Sequence, residues 1–136
     1  MVFRDYLKIF VAGLVFPSIL FPFFELFLAV YGAMAIFNEV PAYLVGIIWG
    51  IWNLLYFTIV KDRIDHVPSK RLVFGIYGAM LGLLLYFIAT LAFHAPSVLQ
   101  LPSWLVYSLV LIVPVVYFLV WYYLVAWFND LMGFEI

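Results

Sequence analysis

Four stretches of this chain are each long and apolar enough to cross a bilayer, which needs roughly 20 helical residues for about 30 Å of hydrocarbon. They run from about Ile9 to Phe37, Ala42 to Val60, Leu72 to Phe93 and Trp104 to Phe128. Only Asn38-Glu39-Val40-Pro41, the charged run Lys61 to Arg71 and the uncharged run His94 to Ser103 separate them. The expected fold is an all-α integral membrane domain covering residues 1–136, with four transmembrane helices in an up-down antiparallel bundle. No stretch is left over for a domain outside the membrane.

Composition points the same way. The chain is 70% hydrophobic and 10% charged, whereas soluble domains run near 45–50% apolar and about 25% charged. A soluble fold of this length could not bury 15 Phe, 10 Tyr and 5 Trp. With no basic stripe to follow a phosphate backbone, nucleic acid is not an expected partner. The absence of cysteine removes disulfides, thiolate nucleophiles, iron–sulfur ligation and Cys-x-x-Cys redox chemistry together.

The basic residues are lopsided. Arg4 and Lys8 precede the first span, and Lys61, Arg63, Lys70 and Arg71 lie between the second and third. In a four-span chain these all fall on one side, which the positive-inside rule assigns to the cytoplasm. The expectation is an inner or plasma membrane protein with both termini cytoplasmic. The N-terminus has a basic start, an apolar run and the small-x-small triplet Ala33-Met34-Ala35. That run is too long for a signal peptide and is interrupted by Pro17, Pro22 and Glu25, so cleavage is not expected.

Aromatic rings prefer the headgroup level. Trp121, Tyr122, Tyr123 and Trp127 crowd the cytoplasmic end of the fourth span, and Trp104 marks its other end. Trp49 and Trp52 fall well inside the second span. They are expected to pack on neighbouring helices, lipid, a ligand or a partner.

Where lipid is as apolar as the helices, close approach at small residues and polar cross-links drive association. The first span carries Ser18, Pro22, Glu25, Ala29 and Gly32 on one face, and the second carries Gly46, Gly50 and Asn53. Counting outward from a turn near Glu39 and Val40 sets Gly32 opposite Gly46, Ala29 opposite Gly50 and Glu25 opposite Asn53. The third span has its own small face, Gly75, Gly78, Gly82 and Ala89, and the same counting puts Thr90 near Ser108. Pro17 and Pro22 each remove a backbone donor, so a kink in the first helix is expected, with carbonyls freed just below Glu25.

Glu25 is the only formal charge inside the four stretches. A carboxylate in hydrocarbon must be neutralised, paired or turned to water within protein. It is either a proton-coupled or cation-binding site, or a neutral acid tied to Asn53, Ser18 or a freed carbonyl that keeps two helices in register. His66 and His94 fall on opposite sides of the membrane, so no metal or haem site is expected from them. No phosphate loop, nucleophile elbow or zinc-binding helix motif occurs. No cofactor and no enzymatic activity are expected. The remaining readings are an accessory or structural subunit of a larger membrane complex and, as the alternative, a homo-oligomeric proton- or cation-coupled transporter or channel centred on Glu25. Membrane lipid and either other subunits or further copies of the chain are the expected partners.

Overall fold

A computed structural model describes residues 2–30 and 44–136, which are helical apart from short connections and the C-terminal tail. Four helices are long and apolar enough to cross a membrane: α1 (Phe3–Val30), α2 (Leu44–Ile64), α3 (Lys70–Ala92) and α4 (Ser103–Leu131). A single helical turn, Ala95–Val98, lies between α3 and α4. Large apolar side chains face outward along all four, among them Phe23, Leu91, Leu111 and Trp104. Such a surface suits a bilayer, where apolar exposure carries no hydration penalty.

The helices pair through glycine. A Cβ on Gly13 would stand 2.7 Å from the Asn53 Cβ and 2.7 Å from the Trp49 carbonyl oxygen, and one on Gly50 would stand 2.9 Å from the Phe10 carbonyl oxygen. The backbones of α1 and α2 therefore touch at these two residues. On α3, Gly75, Gly78 and Gly82 lie beneath Phe118, Trp121 and Tyr117 of α4. The small face expected on α3 thus seats aromatic rings rather than a second backbone.

The two helix pairs meet across an aromatic core. Trp49 packs on Tyr117 at 5.0 Å and on Trp121 at 5.9 Å, and Tyr56 packs on Phe74 at 4.6 Å. The Tyr56 hydroxyl and the Trp121 indole N–H are buried there without a hydrogen-bond partner among the described residues. Ring packing, which adds about 0.5–1.5 kcal/mol per pair beyond burial, holds this layer. Wide π-helical turns at Tyr56–Val60 and Val120–Val125 lie within the same layer. They shift the helical phase there, as such turns do.

Side-chain hydrogen bonds tie the neighbouring helices. Asn53 joins α2 to α1 and α4, the Trp52 indole donates to the Tyr77 carbonyl at 3.0 Å, and the Tyr86 hydroxyl donates to the Val106 carbonyl at 2.8 Å. α4 ends in a Schellman motif. Gly133 takes φ +86°, its N–H donates to Asp130 at 3.0 Å, and the Phe134 N–H donates to Asn129 at 2.9 Å. This closure turns the tail back so that the Phe134 ring lies 5.9 Å from Phe57, and it satisfies carbonyls the helix end would leave free.

The loop after α2 is clasped by its own charges. Lys70 pairs with Asp65, and Arg71 reaches Asp130 at 3.4 Å. The Lys61 ammonium donates to the Glu135 carbonyl and lies 5.2 Å from the Phe57 ring centroid. The hydrogen bond from Lys70, and then its charge, hold the Asp65 carboxyl below the usual carboxylate range. A lowered folded value means that the clasp contributes above the unfolded pKa and is lost as pH falls through the folded one. Acidification is therefore expected to release Lys70, read as faster amine labelling at Lys70 on the acid side only, after correction for intrinsic amine reactivity.

Candidate functional site

The buried polar groups of the helices converge at one place. Asn53 and Asn129 are fully buried. The Asn53 amide donates to the Ile9 carbonyl at 2.6 Å and to the Asn129 side-chain oxygen at 2.9 Å. Asn129 returns a bond to the Asn53 oxygen at 3.1 Å and donates to the Val125 carbonyl at 2.9 Å. Both amide N–H groups of Asn53 and both of Asn129 are thereby used, which a buried amide requires. The pair clamps α1, α2 and α4 together and leaves no donor free for a ligand.

Sequence reasoning named Asn53 and missed Asn129, because the fourth span was ended at Phe128. The signal was present: Trp121, Val125 and Asn129 recur every four residues, the spacing of one helix face. Asn129 lies inside α4, which runs to Leu131.

Glu25 does not meet Asn53. Asn53 is bound at the level of Ile9, and Glu25 stands sixteen residues further along α1, about 24 Å at 1.5 Å per residue. The expected register between α1 and α2 is corrected throughout. The atoms nearest a Cβ on Gly46 belong to Leu14, Pro17 and Ser18, each at 4.0 Å, and Gly50 meets Phe10 rather than Ala29. Gly32, expected opposite Gly46, lies outside the described residues. The turn near Glu39 from which the register was counted lies outside the described residues.

Glu25, Ser18 and Ala29 instead lie on the exposed face of α1. The Ser18 hydroxyl donates to the Leu14 carbonyl at 2.8 Å, within its own helix. Pro17, Ser18, Phe21, Pro22 and Glu25 line a shallow notch of about 310 Å³. The prolines remove the amide donors that would satisfy the carbonyls of Gly13 and Ser18. The Glu25 carboxylate has no hydrogen-bond or ion-pair partner among the described residues. Ser18, Pro22 and Glu25 thus share the face expected of them, turned outward.

Trp49 and Trp52, expected among possible partner or ligand contacts, are engaged within the chain. Trp49 is 3% exposed and stacks on Phe16 at 5.7 Å, and Trp52 stacks on Tyr77 at 4.7 Å. Two cavities between the helices are apolar. One of about 440 Å³ lies between α2, α3 and α4 against Ile48, Leu85 and Val113, and one of about 290 Å³ lies between α1, α2 and α4 against Phe16 and Val120. Among the described residues no group of three or more His, Cys, Asp or Glu is placed to hold a metal ion. No protein-family model, curated protein or solved structure matches the chain.

Proposed function

We propose that this protein is a non-enzymatic accessory or structural subunit of a larger membrane complex. In this reading α1 to α4 cross a cell's inner or plasma membrane as an up-down antiparallel bundle, with α1 bent at Pro17 and Pro22 and both termini cytoplasmic. The orientation rests on Arg4, Lys8, Lys61, Arg63, Lys70 and Arg71, which belong to the end of the bundle where Arg71 reaches Asp130. The positive-inside rule places that end in the cytoplasm.

One observation carries the subunit reading: Glu25 faces outward from the bundle with no partner among the described residues. A carboxylate on the lipid-facing side of a spanning helix is costly, and the cost is removed when another chain covers it. The buried polar groups support the same reading, since Asn53 and Asn129 are spent on joining helices.

The same outward Glu25 favours a second reading, in which several copies set their carboxylates around a shared proton or cation path. The two separate in proteoliposomes holding the purified protein alone. The subunit reading expects no Glu25-dependent proton flux, with Glu25→Gln as leaky or as tight as wild type. A wild-type flux abolished in folded Glu25→Gln protein would establish transport instead.

A further inference from the structure

The subunit reading can be taken one step further, to the chemistry of the partner. We infer that the Ser18–Pro22–Glu25–Ala29 face of α1 docks a membrane-spanning helix of a different polypeptide, which brings a lysine or arginine to the Glu25 carboxylate. This inference rests on the subunit reading above.

Three observations carry it. First, the face is polar where its surroundings are not. Ser18 and Glu25 line the notch, whereas exposed Ile19, Phe23 and Leu26 on the flanks and back of the same helix are apolar. Lipid suits those residues and does not suit an unpaired carboxylate. Second, the face has room for another helix. The small Ala29 and Ser18 and the notch beside Pro22 leave space for a second backbone to approach closely, as interfaces between spanning helices require.

Third, charge complementarity favours a different chain over a second copy. All six lysines and arginines belong to the end of the bundle where Ile9 meets Asn53, about 24 Å along α1 from Glu25. A copy inserted with the same orientation would bring its own Glu25 to the face and no lysine or arginine. Like charges at that depth oppose association, while an opposite charge from another chain removes the cost of both. A cation paired with Glu25 would therefore come from a different sequence.

The test uses the full chain in its native membrane. A photo-cross-linking residue is substituted at Ala29, on the proposed face, and separately at Phe23, on the opposite side of α1. The cross-linked peptides are then identified by mass spectrometry. The expected product at Ala29 is a spanning segment of another protein with a lysine or arginine within one helical turn of the cross-link, while Phe23 gives lipid adducts. Glu25→Lys should lower recovery of that protein about tenfold or more, and exchanging its basic residue for glutamate should restore it. The intrinsic tryptophan spectrum of Glu25→Lys reports that the bundle is intact, and Glu25→Gln should give an intermediate loss.

Lipid adducts alone at Ala29, a cross-link to His94 or any other residue of a second copy, or unchanged recovery with Glu25→Lys would each overturn the inference. If other chains still co-purify at fixed stoichiometry in those cases, the subunit reading survives and only this face is wrong. If wild-type protein co-purifies with nothing, both fall together.

Discussion

Gly78→Ala is expected to destabilise the fold by about 1–3 kcal/mol, the usual cost of forcing extra atoms into a packed interior. A Cβ at Gly78 would overlap the Cβ and Cγ of Trp121, the part of that side chain nearest its backbone and least able to move. Rotating the indole does not relieve this, because Trp121 is fully buried against Phe74 at 4.9 Å and Trp49 at 5.9 Å. Either α3 and α4 move apart or the aromatic core loosens. Gly46→Ala is the matched control: its Cβ would find its nearest neighbours at 4.0 Å, ordinary contact distance, and should leave stability unchanged. Unfolding in mixed micelles, followed by tryptophan fluorescence, separates the two. Equal stabilities for Gly78→Ala and wild type would show that the α3–α4 contact is not close-packed.

The second large effect belongs to the amide pair. Asn53→Leu leaves the Asn129 amide buried with half its partners gone, at a cost of about 1–3 kcal/mol. Asn129→Leu should cost a similar amount by stranding Asn53. The double variant should cost less than the two singles added together, because once both amides are gone neither is stranded. A double-mutant cycle in the same unfolding assay reads this directly. Strict additivity would mean that the two side chains do not interact.

The helices were legible from sequence because their defining signal is length and apolarity, which hardly depends on tertiary context. The structure adds a few residues at some ends, beginning α1 at Phe3 and carrying α4 to Leu131. The small face of α3 was legible too, since Gly75, Gly78 and Gly82 all lie against α4. The register of α1 on α2 was not: the close contacts of Gly13 with Trp49 and Asn53 and of Gly50 with Phe10 carry no signal that counting along the chain could find. Every pairing drawn from it, Glu25 with Asn53 above all, moved with it. Glu25 itself was visible as the lone charge. Its face with Ser18, Pro22 and Ala29 was legible, but not whether that face turned inward or outward, because the rest of the helix is apolar all round. Hydropathy likewise could not tell that Trp49 and Trp52 belong to the interior, since a ring in a spanning helix is equally content against lipid or protein.

The central claim is that this bundle is one part of a larger membrane assembly, and native mass spectrometry of the protein extracted gently from its own membrane tests it most directly. The account predicts co-purification with other polypeptides at fixed stoichiometry, one copy set per assembly. A discrete oligomer of this chain alone would contradict it and make Glu25 the centre of a transport path instead.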